Sequence, residues 1–92
     1  MTTTEAVDQL RLAPLRLVAT RIKRARTKHA ALTLDQLAAK VGTSRQHLIG
    51  LEQAKHRPRL AMLEAIAEAT GKPVDYFLVE ESGEPNPFPE AA

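Results

Sequence analysis

At 92 residues the chain is sized for one domain and is too short for two independent cores, and its 43% hydrophobic content suffices for a compact helical core. Aromatics at 3% favour packed Leu, Ile and Ala over a ring-rich sheet, and the absence of cysteine excludes disulfides, thiolate chemistry and cysteine zinc sites and fits an expected cytoplasmic location. The net charge of +2 conceals an asymmetry: residues 11–59 hold twelve Lys and Arg against Asp35 and Glu52, whereas from Leu60 onward Lys72 stands against seven acidic residues. Such a gradient points to one face for a polyanion, with a solvated basic helix as the alternative.

In chain order, MTTTEAVDQL has neither a basic start nor a long apolar core, so no secretory signal is expected, and no apolar run reaches membrane-spanning length. Ala6, Val7, Leu10 and Leu12 predict a turn or two of helix within a partly ordered segment, residues 1–14. Pro14 ends any helix before it and suits the first turn of the next one. Leu15, Val18, Ile22 and Ala25 recur at helical spacing and predict a helix to about Lys28, with Arg21, Arg24 and Lys28 on another face.

After a connector, residues 29–32, Thr33 is an N-cap candidate for a helix whose inward side is Leu34, Leu37, Ala38 and Val41. Gly42 stops that helix, because a left-handed backbone there carries no Cβ penalty for glycine. Ser44 restarts the chain as the next N-cap, and Leu48 and Leu51 form the second apolar face. So short a connection makes the two helices cross steeply, as in a helix-turn-helix unit. Small Ala38 and Gly42 lie one turn apart, where the crossing is closest. Arg59 to Thr70 reads as a further helix with Leu60, Leu63, Ile66 and Ala67 inward and Gly71 just past its end. Pro73 to Leu78 predicts a short helix whose Tyr76, Phe77 and Leu78 close the core. The acidic, proline-rich stretch 80–92 is expected to be a tail without regular structure, leaving 15–79 as the folded domain. Leu37, Ala38, Val41, Leu48, Leu51, Leu63 and Ile66 should be buried together, with Gly42 at positive φ.

This pattern is similar to the helix-turn-helix of the lambda repressor/Cro-like (XRE-type) family. GTSRQHLIGLEQAKHRPRLAMLEAIAEATGKPVDYFL looks like the N-terminal domain of a lambdoid phage repressor, and the resemblance covers roughly Leu15 to Leu78. It implies an all-α, compact five-helix domain with a central helix-turn-helix that binds double-stranded DNA in the major groove. The chain departs from the family pattern in four places. Its connector is one residue longer and lacks a glycine, Ala54 stands where a glycine is usual, Leu34 stands where Gln is frequent, and Ile49 and Gly50 stand where polar residues are frequent, which limits hydrogen-bond readout at that level.

In that geometry the first residues of the helix after Ser44 face base edges. Arg can bond guanine O6 and N7 together, and Gln can bond adenine N6 and N7 together. Arg45 and Gln46 are therefore the leading base-reading candidates; without the surrounding motif they would read as ordinary exposed residues. Ile49 and Gly50 lie one turn further on. Either Gly50 lets backbone approach DNA closely with Ile49 on a thymine methyl, or a small residue is simply tolerated there. Ser44, Gln53, Lys55, Arg57 and Arg59 are phosphate candidates, the last two around a helix start whose dipole a phosphate would suit. The resemblance also implies a structural ion pair between Glu52 and Arg26, for which Arg21 or Arg24 could compete.

His29, His47 and His56 form no metal-ligand spacing, and no metal or cofactor is expected. No acid completes a triad with Ser44 and His47, and no phosphate-binding loop is present, so no catalytic residue is assigned and no enzyme is expected. The expected role is a transcriptional regulator, usually a repressor, acting as a homodimer on two-fold related half-sites with no membrane partner. Alternatives are an antitoxin that grips a toxin and also binds its own promoter, and an interaction module that kept the fold but lost DNA binding.

Overall fold

The computed structural model describes residues 3–78, with side chains described from Asp8 onward. The tail expected over residues 80–92 lies outside the described residues. Six α-helices occupy the described chain: α1 (Thr3–Leu12), α2 (Leu15–Arg24), α3 (Leu34–Val41), α4 (Arg45–Glu52), α5 (Leu60–Thr70) and α6 (Asp75–Leu78). A π-helical turn, Ala25–His29, extends α2. The fold is all-α, with the five expected helices preceded by α1.

The local signals explain most boundaries. Thr33 Oγ1 accepts from Gln36 N–H at 3.1 Å, and Gln36 Oε1 accepts from Thr33 N–H at 2.9 Å, a reciprocal capping box. Gly42 closes α3 at φ 74°, and Thr43 N–H reaches back to Ala38 carbonyl at 3.0 Å. Ser44 Oγ accepts from His47 N–H at 3.0 Å and opens α4. Gly71 ends α5 at φ 77°. Leu37, Ala38, Leu48, Leu51, Leu63 and Ile66 are buried in one cluster with Val18, Ile22 and Phe77, while Val41 is half-buried against it. α2 packs on α4 and α6, α3 on α4 and α5, and α1 on α5.

Three features differ from the sequence expectation. First, α1 runs for ten residues rather than a turn or two. Leu10 and Ala13 are buried in the main core, and that docking stabilises a helix whose own periodicity is weak. Second, the helix begun at Leu15 passes into a π turn instead of ending as α-helix. Ala30 N–H bonds Ala25 carbonyl at 2.9 Å, and Leu32 N–H bonds Arg26 carbonyl at 2.9 Å. A π turn holds more residues than an α turn, so it takes up the longer connector.

Third, Arg21 is no part of an exposed basic face. It is 1% exposed, and its Nη1 donates to Tyr76 carbonyl at 2.6 Å with its guanidinium carbon 4.9 Å from the Tyr76 ring centre. It thus ties α2 to α6 through one of the carbonyls a helix leaves without an intrahelical partner. Lys72 lies 4.9 Å from the same ring centre, and His29 meets the ring edge-on at 5.6 Å.

Candidate nucleic-acid interface

α4 carries the candidate site. Leu48, Leu51 and Glu52 turn inward, and the helical period sets Gln46, Ile49, Gly50 and Gln53 on the opposite side. Arg45 and Gln46 are exposed in the first turn, directly after the Ser44 cap. Arg45 Nε stands 3.7 Å from Asp35 Oδ1 of α3, with both side chains largely in solvent. At that exposure the pair holds the arginine only weakly, so it is available to another acceptor. The start of α3 and the outer face of α4 therefore form one edge of the molecule, with Arg45 between them.

α4 is fixed from behind by a forked contact. Arg26 of the π turn donates from Nε to Glu52 Oε2 at 2.7 Å and from Nη2 to Oε1 at 3.0 Å. Its third nitrogen, Nη1, donates to Leu32 carbonyl at 3.0 Å. The side chains are 11% and 7% exposed. Such a bidentate pair sets orientation as well as proximity, so the pitch of α4 is locked to α2 and to the connector. Arg26, rather than Arg21 or Arg24, holds this carboxylate. The pair also walls a groove of about 300 Å³ completed by Lys23, Leu34, Ile49 and Gln53. Leu34 and Ile49 give the groove an apolar stretch beside the outer face of α4, where Ile49 is half-buried.

The end of α4 is a left-handed cap without glycine. Ala54 adopts φ 61°, Lys55 N–H donates to Gly50 carbonyl at 2.9 Å, and Ala54 N–H donates to Leu51 carbonyl at 3.3 Å. This Schellman arrangement turns the chain sharply after Gln53. Lys55 and Arg59 are exposed on the α4–α5 loop, and Arg59 is the N-cap of α5 with no side-chain cap bond.

Arg57 is placed differently. Its Nη1 donates to Leu10 carbonyl at 2.6 Å and to Ala13 carbonyl at 2.7 Å, so it caps α1. The pair of arginines expected around the α5 start thus has Arg59 but not the whole Arg57 guanidinium. Sequence reasoning has no means of seeing this, because the acceptors are backbone atoms more than forty positions away.

Gly50 is also placed differently. It is buried, and a Cβ on it would stand 2.5 Å from His56 Cδ2 and 2.9 Å from His56 Nε2. His56 therefore sits on the helix where Gly50 has no side chain, and Gly50 does not lay open backbone toward a ligand. The His56 ring lies nearly parallel to that of His47, with centres 6.0 Å apart and planes 18° apart. The sequence pattern does not single out His56 for the site; the available signal is a bare glycine on a helix followed closely by a ring in the next loop. Among the described residues, no three His, Cys, Asp or Glu side chains come together to hold a metal, and no described helix is long and apolar enough to cross a membrane.

Comparison with known proteins agrees with this geometry. A helix-turn-helix family model matches residues 22–77. An uncharacterised HTH-type transcriptional regulator of Methanothermobacter thermautotrophicus is 38% identical over 58 residues, 61% of this chain and 84% of that protein. The immunity repressor protein of Bacillus phage phi105 is 42% identical over 65 residues, 71% of this chain and 44% of that protein. An uncharacterised transcriptional regulator in the ATPase CF(0) region of Rhodospirillum rubrum is 38% identical over 66 residues, 68% of this chain and 61% of that protein. The chain thus spans less than two thirds of the last two relatives. With a capped α3, a left-handed turn at Gly42 and a capped α4 matched by that model, the chain belongs to the Cro/C1-type helix-turn-helix family of DNA-binding transcriptional regulators.

Proposed function

We propose that this protein is a cytoplasmic, sequence-specific regulator that represses transcription by occupying an operator in double-stranded DNA. It acts as a homodimer on two-fold related half-sites, with α4 lying in the major groove. Arg45 and Gln46 read purine edges, and Ile49 meets an apolar base edge such as a thymine methyl. Ser44, Gln53, Lys55 and Arg59 contact phosphates, while Arg57 serves mainly to hold α1. Repression is supported by the likeness to a phage immunity repressor. Pairing of half-sites is supported by the small number of base contacts one α4 offers.

The observation that carries the reading is the exposed first turn of α4, which offers two forked hydrogen-bonding side chains beside a Ser44 cap on a helix clamped through Glu52. The test is selection of bound sites from random duplex DNA, followed by affinities of Arg45→Ala and Gln46→Ala on the selected site and on random duplex at one salt concentration. Each substitution is expected to cost about 1–3 kcal/mol on the selected site and far less on random DNA. Unchanged ratios in both variants, with intact thermal melting, would move sequence reading away from this turn.

A further inference from the structure

Gly50 is the position on the outer face of α4 that brings no side chain of its own. It lies one turn after Gln46, so a residue there would extend the reading stripe deeper along the helix. That place is filled from outside the helix. The Cδ2–Nε2 edge of His56 lies 2.5 and 2.9 Å from where a Cβ of residue 50 would be, while His56 Cγ is 3.8 Å away. The ring thus stands edge-on against the helix, and the vertex opposite that edge, Nδ1, is the ring atom turned farthest from it. His47, one turn before Leu51 on the flank of the same helix, stacks beside the ring and steadies it. His56 remains exposed as a residue, although one of its edges covers Gly50.

We propose that His56, a loop residue, supplies the base-reading side chain at the level of Gly50, with the glycine serving as its seat. The ligand is the major-groove edge of a base pair, and an imidazole nitrogen meets a purine N7 or guanine O6. This rests on α4 being the DNA-reading helix.

The geometry separates the proposal from its rivals, because Gly50→Ala adds only one methyl group and favours the helix. That methyl cannot coexist with the imidazole where it sits, and a terminal ring on an exposed loop can swing away. The experiment is a double-substitution cycle of Gly50→Ala and His56→Ala, read as affinity for a duplex selected by the unaltered protein and for random duplex, with thermal melting as the folding control. His56→Ala is expected to lower affinity for the selected duplex about tenfold, the size of one base contact, with little change on random DNA. Repeating the site selection with it should relax preference at one base pair in each half-site. Gly50→Ala should relax the same base pair, melt no lower than the unaltered protein, and have no further effect in the His56→Ala background.

Equal losses from His56→Ala on selected and random DNA would make His56 a phosphate contact and overturn the proposal. So would an unchanged affinity, or a Gly50→Ala loss that persists without His56, which would mean that backbone approach matters. If the unaltered protein selects no site, the proposed function falls together with this inference; if it selects one and the cycle is additive, only this inference falls.

Discussion

Ala31 and Ala54 have backbones that alanine seldom takes. Their φ values are 53° and 61°, in the left-handed region where a Cβ crowds the neighbouring carbonyl at roughly 1–2 kcal/mol. Ala31 turns the connector toward the Thr33 cap, and Ala54 carries the Schellman turn after α4. Ala31→Gly and Ala54→Gly should each stabilise the protein by about 1 kcal/mol, because relief of strain exceeds the added freedom of the unfolded chain. The check is a rise in the urea midpoint at constant m value. Neither position brings a side chain to the outer face of α4, so site preference should not move.

Among the elements, α4 depends most on one contact. The carboxylate of Glu52 accepts both arms of the Arg26 fork in a nearly dry position. Glu52→Gln leaves the shape but removes the charge, stranding a buried guanidinium, and should cost about 3 kcal/mol or more in denaturant unfolding. A loss below about 1 kcal/mol would show that the pair is solvated enough to matter little. The helix-turn-helix itself is legible in the sequence because its signals are local: a Thr33 cap, a left-handed glycine, a Ser44 cap and apolar residues at helical spacing. The full length of α1 is not legible, since Leu10 and Ala13 gain their burial only by docking on the core. Arg21 and Arg57 are also opaque. Charge reads as surface in a sequence, and their acceptors are carbonyls 55 and 47 or 44 positions away. His56 is opaque for a related reason, because its meaning comes from a side chain that Gly50 lacks.

For the molecule as a whole, the basic half is smaller as a DNA-facing surface than its twelve cations imply. Arg21 is buried against Tyr76, Arg26 is held by Glu52, and Arg57 is held by the end of α1. The salt dependence of DNA affinity should therefore fall well short of a count of all basic residues. Lys55→Ala should weaken selected and random duplex by similar factors and reduce the slope of log affinity against log salt by about one. Arg57→Ala should leave that slope nearly unchanged while lowering the melting temperature, because it releases two charge-assisted hydrogen bonds. A slope change in Arg57→Ala equal to that in Lys55→Ala would assign the guanidinium to phosphate after all.

The Arg21–Tyr76 bond also bears on how the chain is made. Synthesis on a ribosome delivers α2, and with it the arginine destined for the core, long before the carbonyl that receives it. Until residue 76 has emerged, packing α2 against α4 would draw that cation from water before the Tyr76 carbonyl can receive it, at a cost of roughly several kcal/mol. Closure of the nascent helix-turn-helix is therefore expected to wait until α6 has left the exit tunnel.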